Sequence, residues 1–206
     1  MYKRQLLKRV NAPKKQLRIG LAGLGNVGAG VYKNLLKNRD LLTERTGAEI
    51  VVAKVALRDP NKKRDVDVPA ELVTTDWHEL VTDPEIDVIV ELIGGVDQAY
   101  ELIAEALKKN KAVVTGNKAV LAERGKELIE LAEQQNAPLY CEAAVAGGIP
   151  IIKAVKEALV GNRIDSIHGI INGTSNYILT RMTGAGIAFP EALEDCLLYT
   201  SPSPRD

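Results

Sequence analysis

The sequence predicts an α/β fold, in which a doubly wound parallel sheet is followed by the start of a second, α+β domain. Two observations predict it. Short apolar runs alternate with helical patterns up to about residue 142, as in a sheet whose parallel strands are joined by helices. The stretch 143–150 then consists almost entirely of small residues and glycines, which places a boundary near residue 145. We therefore expect a sheet domain at 17–145 and part of a substrate or dimerisation domain at 146–195.

The first strand leads into a glycine-rich turn. Residues 17–22 alternate in apolar character, and the next three glycines have G-x-G-x-x-G spacing ahead of a helical pattern that Asn26 would cap. The first glycine allows a tight turn, the second lets a pyrophosphate approach the backbone, and the third lets the helix pack on the strand. Free N–H groups at the helix start attract phosphate. The turn predicts a Rossmann-type dinucleotide site formed by Gly23, Gly25, Asn26, Val27 and Gly28; the alternative is a structural turn without a ligand.

Hydrophobic periodicity predicts the remaining helices and strands of the chain. In the first domain we predict a helix at 27–38, a loop at 38–47, strands at 50–57, 86–93, 112–115 and 139–142, and helices at 76–80, 98–109 and 119–135. In the second we predict helices at 151–159 and 175–182, a strand at 164–171, and a helix that starts at 190. The run 86–93 is almost continuously apolar, which is typical of a strand covered by helices on both faces.

Composition narrows the class of partner. The 206 residues include 27 basic and 27 acidic side chains, so the formal net charge is zero and neither nucleic acid nor an anionic membrane is an expected partner. No apolar run approaches the ~20 residues that span a membrane. Cys141 and Cys196 are far apart and have no metal-binding spacing, so reduced thiols in a cytoplasmic protein are expected. Of the possible partners, a small-molecule ligand is therefore the one we expect.

The end of the second predicted strand bears on the choice of cofactor. A carboxylate at this position holds the ribose 2′-hydroxyl of NAD, whereas an arginine accommodates the 2′-phosphate of NADP. Arg58 comes first, and Lys62, Lys63 and Arg64 follow closely, although Asp59 is adjacent. The pattern favours NADP and leaves NAD open, and the alternative is a solvated charged loop.

Two further side chains follow predicted strands and are candidates for chemistry. Lys118 comes just after the strand 112–115, where it could polarise a carbonyl or transfer a proton, although its reference pKa of ~10.4 must fall for acid–base work near neutrality. Glu142 precedes the glycine-rich stretch, where oxygen ligands could hold a hard monovalent cation. The simpler alternatives are a surface lysine and a glutamate that caps the turn.

Several motifs together resemble one family, homoserine dehydrogenase. They are ELIGG at 91–95, GNKAVLA at 116–122, EAAVAGGIPII at 142–152 and GIINGTSNYILTRM at 169–182. With the glycine turn, the resemblance covers residues 17–195. It implies an enzyme that interconverts homoserine and aspartate semialdehyde with NADPH or NADH, in the route to threonine, isoleucine and methionine.

The resemblance also assigns roles to residues. It places Lys118 beside nicotinamide and substrate as a catalytic group, and it implies a homodimer of the full-length protein through the second domain. It adds Ile93, Gly94 and Thr115 to the cofactor site, and it assigns substrate contacts to Gly173 and Thr174. It implies a sodium ion held by the Glu142 carboxylate and the carbonyls of Val145, Gly147 and Ile149.

Both ends of the chain depart from this resemblance. Residues 1–16 are expected to be a disordered leader, and 196–206, CLLYTSPSPRD, are expected to be foreign to the family, since two Ser-Pro pairs cannot continue a helix. The acidic and lysine residues that the family places after its Asn-Gly-Thr helix have no counterpart here. The alternatives are therefore another Rossmann oxidoreductase of amino-acid metabolism, or a dinucleotide-binding module without catalysis.

Overall fold

The computed structural model describes residues 15–170 and 172–199. The chain divides between Ala144 and Val145 into two compact units. Each unit has its own elements and its own core, and the two are described separately.

The first unit is built on a six-stranded parallel sheet. Its strand order is β3-β2-β1-β4-β5-β6, so the direction of winding reverses between the two central strands. The strands are β1 Lys15–Ala22, β2 Ala48–Ala56, β3 Val73–Thr74, β4 Val88–Glu91, β5 Ala112–Thr115 and β6 Leu139–Tyr140. The predicted doubly wound sheet is confirmed. In such sheets ligands bind beyond the carboxyl ends of the strands at the reversal point.

Helices connect the strands of this unit and cover both faces of the sheet. They are α1 Asn26–Lys37, α2 Arg39–Thr46, α3 His78–Thr82, α4 Asp97–Lys108 and α5 Lys118–Gln135, with 3-10 turns at Ala70–Leu72 and Glu142–Ala144.

A hydrophobic core lies on each face of the sheet, because successive residues of a strand point to opposite faces. On one face Ile89 of β4 belongs to the same core as Leu102 and Ile103 of α4, and all three side chains are fully buried. On the other face Val90 belongs to a second core with Tyr32 of α1. Burying an aliphatic side chain of this size stabilises a fold by roughly 1.5–3 kcal/mol, so the two cores carry much of the unit's stability.

One predicted loop is a helix. The segment 38–47 was expected to be irregular because it is polar, but it contains α2, which ends at Gly47 in the left-handed conformation with φ 73°. None of the residues of α2 is buried, so the helix has no apolar face from which periodicity could reveal it. Its charges nevertheless suit a helix, with Asp40 in the first turn and Arg45 in the last.

Several boundaries also differ from the predictions; the strand expected at 86–93, for example, is Val88–Glu91. The position before α1 is occupied by Gly25, so Asn26 begins the helix and does not cap it. The short helix expected at 76–80 begins at His78, although the Asp76 carboxylate accepts a hydrogen bond from the His78 N–H at 2.9 Å. The last strand ends at Tyr140, because a 3-10 turn takes up residues 142–144.

The described part of the second unit is helical. Its elements are α6 Ile151–Lys153, which continues as a π-helix at Ala154–Ala158, then α7 Gly173–Ala185 and α8 Phe189–Tyr199. A small core joins α7 and α8 through Ile178, Ala192 and Cys196. The Arg181 guanidinium also donates to the Asp195 carboxylate at 2.7 Å, which links the same two helices.

The predicted strand at 164–171 is wrong over 164–170, and residue 171 lies outside the described residues. Residues 163–170 are irregular, and Ile167 and Ile170 are 65% and 74% exposed. A strand is stable only when its N–H and C=O groups pair with a neighbouring strand. The described residues of this unit contain no other strand that could pair with it, so the alternating apolar pattern leaves its side chains exposed. The strands of an α+β domain stay a prediction for the longer protein.

The two ends of the chain lie mostly outside the description. The predicted leader at 1–16 falls there except for Lys15 and Gln16, which belong to β1. Of the tail at 196–206, residues 196–199 form the last turn of α8 and the remainder is not described. Within the described ranges, no helix is both long and apolar enough to cross a membrane.

Candidate functional site

A cleft of about 700 Å³ opens at the carboxyl ends of β1 and β2. Its size suits a small-molecule ligand or cofactor. Its walls are the glycine turn after β1, the charged segment after β2, and side chains that follow β3 and β4. Representative lining residues are Gly25, Arg58, Lys62, Trp77, Ile93 and Gln98. The cleft therefore lies where the predicted dinucleotide site was expected.

The three glycines of the turn have different surroundings. Gly23 has φ +97°, and a Cβ there would lie 2.5 Å from the carbonyl oxygen of Leu92. A Cβ on Gly28 would lie 2.1 Å from the carbonyl oxygen of Gly23. A Cβ on Gly25 would meet no atom within 4 Å, and this residue is exposed to the cleft. Two glycines thus permit close backbone packing, while the third leaves open space for a ligand.

The start of α1 completes a place for phosphate. The helix begins at Asn26, which lines the cleft, and its first internal hydrogen bond runs from the Ala29 N–H to the Gly25 carbonyl at 2.8 Å. The amides of the first turn precede that bond, and the positive end of the helix dipole lies with them. Open backbone at Gly25 beside a helix N-terminus fits a pyrophosphate group.

Cationic side chains surround the cleft beyond β2. Arg58, Lys62 and Lys63 line it, and within the described residues their side chains form no hydrogen bond or ion pair. The nearby Asp59 carboxylate accepts a hydrogen bond from the Asn61 N–H at 2.8 Å. Asp59 also lines the cleft and takes part in a local turn through Oδ1, while the three cations beside it are available to an anionic ligand.

Arg64 has a different role from the other cations. Its guanidinium donates to three backbone carbonyl oxygens, those of Leu24 at 3.1 Å, Lys62 at 2.8 Å and Asp59 at 2.8 Å. The first of these belongs to the glycine turn and the other two to the segment after β2. Arg64 thus fastens the cationic segment to the glycine turn and fixes one wall of the cleft.

A buried polar network joins the ends of β4 and β5. Glu91 and Thr115 are completely buried, and the Thr115 hydroxyl donates to the Glu91 carboxylate at 2.5 Å. The Asn117 side chain donates to the Gly95 carbonyl at 2.7 Å and accepts from the Ala119 N–H at 3.1 Å. The network therefore holds together the two loops that follow β4 and β5, and Asn117 caps α5.

Lys118 is the first residue of α5 and is exposed. It comes directly after Asn117, the residue that caps α5. Its side chain does not line the cleft of the first unit. Five predicted cofactor residues do line it, namely Gly23, Gly25, Asn26, Arg58 and Ile93. The remainder, Val27, Gly28, Gly94, Thr115 and Lys118, lie in adjoining turns and elements. Cofactor contact by any of these residues stays a prediction.

The predicted substrate residues belong to the second unit. Gly173 and Thr174 form the first turn of α7 and are exposed, and the Asn172 side chain caps this turn by accepting from the Ser175 N–H at 2.8 Å. The helix predicted from residue 175 is therefore present, but it begins two residues earlier and includes Gly173 and Thr174. Substrate contact by these residues stays a prediction.

The predicted sodium ligands are divided between the units. Glu142 is half-buried in the 3-10 turn that ends the first unit. Val145, Gly147 and Ile149 belong to the second, where Gly147 has φ +59°. The described residues contain no cluster of three or more histidine, cysteine or acidic side chains suited to a metal. A site made mainly of carbonyl oxygens is a different arrangement and stays a prediction.

Sequence reasoning missed several residues of the site. Trp77 and Gln98 line the cleft, and the Trp77 ring stacks on His78 with 3.7 Å between ring centroids. Loops bring these two side chains to the cleft, and the conformation of a loop cannot be predicted from hydrophobic periodicity. Glu91 had a signal, because it is a charged residue within an apolar strand. Asn117 had one too, since asparagine directly before a helix is a preferred cap.

Two family models match the chain in order. The homoserine dehydrogenase NAD-binding domain matches residues 23–142, and the homoserine dehydrogenase model matches 150–206. The first match alone covers more than half of the chain and contains the glycine turn and the cleft. The chain belongs to the homoserine dehydrogenase family. The predicted family, whose members are NAD(P)-dependent oxidoreductases with a Rossmann-type domain, is confirmed.

Individual relatives agree with this assignment. The homoserine dehydrogenase of Bacillus subtilis is 42% identical over 181 residues, which are 88% of this chain and 42% of that protein. The crystal structure of a homoserine dehydrogenase from Thiobacillus denitrificans matches with a TM-score of 0.76 and 44% identity, over 93% of this chain and 44% of that one. A hyperthermophilic archaeal homoserine dehydrogenase in complex with NADPH matches with a TM-score of 0.69 and 26% identity, over 92% and 63% of the two chains.

The match covers only part of each relative. This chain spans about two-fifths of the length of the curated homoserine dehydrogenases that it resembles. It contains the NAD-binding domain of the family and a part of the region that follows. The cleft at the reversal point of the sheet lies within that domain, so it is the candidate nicotinamide dinucleotide site.

Proposed function

We propose that this chain is the cofactor-binding part of an NADP-preferring homoserine dehydrogenase, which interconverts L-homoserine and L-aspartate 4-semialdehyde. The observation that carries the cofactor preference is the arrangement after β2. Arg58, Lys62 and Lys63 line the cleft without other partners among the described residues, while the Asp59 carboxylate is engaged by the Asn61 N–H. A 2′-phosphate suits these three cations, which outnumber Asp59, the adjacent carboxylate that could accept from a ribose hydroxyl. The archaeal relative in complex with NADPH supports the same choice.

The chain's own residues would share the work of binding. Gly25 and the first turn of α1 would hold the pyrophosphate, and Arg58 the 2′-phosphate. Arg64 would hold these two parts of the cleft in a fixed relative position through its three carbonyl contacts. The nicotinamide cofactor, when bound, supplies or accepts the hydride. Lys118 would stabilise the charge that develops on the substrate oxygen, and Gly173 and Thr174 would contact the substrate.

Homoserine oxidation tests this proposal. The matched proteins are the 206-residue chain and a version extended to the family's length, each with and without Lys118→Met. We expect NADP⁺ to bind to all four, and we expect turnover to be substantial only in the extended protein with Lys118. Loss of this lysine should lower kcat about 10²–10³-fold, as removal of a group that stabilises charge on the reacting oxygen does, while NADP⁺ still binds through the rest of the cleft. An extended Lys118→Met variant with normal kcat would contradict the assigned role.

A second candidate follows from the extent of the match. The 206 residues span about two-fifths of the relatives, so the chain alone would bind dinucleotide with little or no turnover. Cofactor binding to the shorter protein without homoserine oxidation supports this alternative for the chain as it stands. Comparable rates from the two lengths would refute it.

A sodium ion is proposed at Glu142 and the glycine-rich stretch after it. The Glu142 carboxylate and the carbonyls of Val145, Gly147 and Ile149 are its ligands by family resemblance, and hard cations prefer such oxygen ligands. Sodium should then raise the melting temperature more than a bulky organic cation at equal concentration, and Glu142→Gln should remove the difference. A melting temperature indifferent to the cation would leave Glu142 as a residue of the turn alone.

Homodimer formation and a cytoplasmic location are proposals of the same kind. The dimer rests on family resemblance and would form through the second domain of the full-length protein, whereas the location rests on the expectation that Cys141 and Cys196 are reduced thiols. Sedimentation of the extended protein tests the first of them. A monomer at concentrations well above those of the assay would contradict it.

A further inference from the structure

Glu91 is a buried carboxylate at the centre of the sheet. It ends β4, is 0% exposed, and lies in register between Ala22 of β1 and Thr115 of β5. The residues before it in β4 are apolar and pack in the two cores. A charged group in such a place costs free energy unless it is fully hydrogen-bonded, so its presence calls for a reason.

Only hydrogen-bond donors surround this carboxylate in the described part of the chain. Oε1 accepts from the Ile93 N–H at 2.9 Å, the Gly94 N–H at 3.4 Å and the Asn117 amide at 3.5 Å, and Oε2 accepts from the Thr115 hydroxyl at 2.5 Å. Acceptance at both oxygens is the pattern of an ionised carboxylate. The described residues include no lysine, arginine or histidine paired with it. Its negative charge is therefore stabilised by neutral dipoles and is not cancelled by a cation.

The charge lies directly behind one wall of the cleft. Ile93, whose N–H contacts Oε1, lines the cleft together with Leu92. The cationic segment after β2 lies on the other side of the glycine turn. A dinucleotide with its pyrophosphate at Gly25 extends in both directions along the carboxyl ends of the strands. If its adenosine half meets the cations after β2, its nicotinamide half extends towards β4 and β5, which is the side of Glu91.

We propose that Glu91 is an electrostatic selectivity residue that favours the oxidised over the reduced nicotinamide cofactor. The oxidised ring carries a positive charge that the reduced ring lacks, so a fixed negative charge behind the wall stabilises only the oxidised form. Burial strengthens the effect, because a charge in a medium less polar than water acts over a longer range. Hydrogen bonds from two loops hold the carboxylate in place, so it cannot turn into solvent. This role of Glu91 rests on the proposed dinucleotide function.

The test compares the affinities of the full 206-residue chain for NADP⁺ and NADPH. In Glu91→Gln, which keeps the shape and removes the charge, NADP⁺ should bind about three- to tenfold more weakly, while NADPH changes by less than about twofold. Glu101→Gln is the matched control, since it removes the same charge from an exposed position of α4 outside the cleft and leaves Glu91 intact. It should leave the ratio of the two affinities unchanged. The 2′-phosphorylated ADP-ribose, which has no nicotinamide, should bind equally to all three proteins.

Each outcome bears on the proposal. An equal loss for NADP⁺ and NADPH in Glu91→Gln would show a structural role and overturn it. A change of the ratio in Glu101→Gln as large as in Glu91→Gln would overturn it too, because that control retains the Glu91 charge. If Glu91→Gln fails to fold, Glu91→Met combined with Thr115→Val replaces the pair by apolar groups and must show the same selective loss. Binding of neither cofactor by the unaltered chain would overturn the proposed function itself, which separates the two failures.

Discussion

At the scale of single residues, Gly28 is required by a backbone contact and not by flexibility alone. A Cβ there would lie 2.1 Å from the Gly23 carbonyl oxygen, and a backbone atom cannot move aside as the end of a side chain can. Gly125, in the middle of α5, gives the opposite case. Its nearest neighbour would be the Leu121 Cβ at 3.7 Å, which is an ordinary contact.

These two positions form a matched pair of tests. Gly28→Ala should destabilise the chain by about 1–3 kcal/mol through overpacking, and it should weaken dinucleotide binding because the turn must shift. Gly125→Ala should stabilise the chain by roughly 0.5–1 kcal/mol, since alanine loses less conformational entropy in a helix. Urea unfolding measures both changes. Equal stability of the two variants would contradict the close approach of the turn to α1.

The second prediction at this scale concerns Arg58 and the choice of cofactor. If it contacts the 2′-phosphate, Arg58→Ala removes a charge-assisted hydrogen bond worth roughly 1.5–3 kcal/mol. NADPH should then bind about tenfold more weakly or worse, while NADH affinity should change little. Titration of both cofactors measures this.

The control for this prediction is Asp59→Asn. Asp59 lines the cleft and its Oδ1 accepts from the Asn61 N–H, so Asp59→Asn keeps an acceptor and removes a negative charge, and it should not weaken NADPH binding as Arg58→Ala does. Equal losses for NADPH and NADH in Arg58→Ala would count against NADP preference.

At the scale of elements, an ion pair ties α3 to the edge of the sheet. The Glu79 carboxylate accepts from the Lys54 ammonium of β2 at 2.9 Å and from the Thr74 hydroxyl of β3 at 2.9 Å. These two hydrogen bonds, the Lys54 one foremost, lower the pKa of Glu79 below its usual value. Because the pair is partly exposed, solvent screening reduces its contribution to stability.

The direction of this pKa shift predicts a pH dependence. A carboxylate with a lowered folded-state pKa contributes stability above its unfolded pKa of ~4.3, and the contribution is lost as pH falls through the folded pKa. Glu79→Gln should therefore melt at a lower temperature than the unaltered chain near neutral pH, and the difference should shrink in acid. Glu71→Gln, at an exposed position of the 3-10 turn Ala70–Leu72, is the control and should show no such trend. A difference that is constant with pH would refute the prediction.

At the scale of the whole molecule, the two units contain separate cores. The first has an extensive core on each face of its sheet, while the core between α7 and α8 is formed by Ile178, Ala192 and Cys196 with a few partly buried neighbours. Each unit also contains a natural probe. Trp77 is the only tryptophan of the chain and belongs to the first unit, and Cys196, which is 1% exposed, belongs to the second.

These probes predict that cofactor stabilises one unit selectively. At a concentration of NADP⁺ about 100 times its Kd, the first unit should gain about 2.7 kcal/mol, so the melting transition seen by Trp77 fluorescence should move upward. The reaction of Cys196 with a thiol reagent, measured in a Cys141→Ser background, should keep its rate. Equal protection of Cys196 by NADP⁺ would show that the two units open as one cooperative body.

The sequence by itself determined the parallel sheet, the glycine turn and the family. These depend on local patterns, namely apolar runs, glycine spacing and ordered motifs. Such patterns can be recognised without knowing the conformation of the loops. It also placed Arg58 at the cleft, because a residue directly after a strand must emerge at the carboxyl edge of the sheet. The helices α4 and α5 were predicted within a residue or two, since each has a buried stripe and a clear end.

Tertiary structure alone decided the rest. The contact of Arg64 with the Leu24 carbonyl and the donation of Thr115 and Asn117 to Glu91 depend on how separate segments meet, and no local pattern records that meeting. The segment 164–170 has the alternation of a strand but lacks a pairing partner among the described residues, because strand formation depends on a neighbour and not on periodicity alone. Local chemistry therefore specified the elements, and long-range pairing and packing determined which polar groups are occupied and which are available to a ligand.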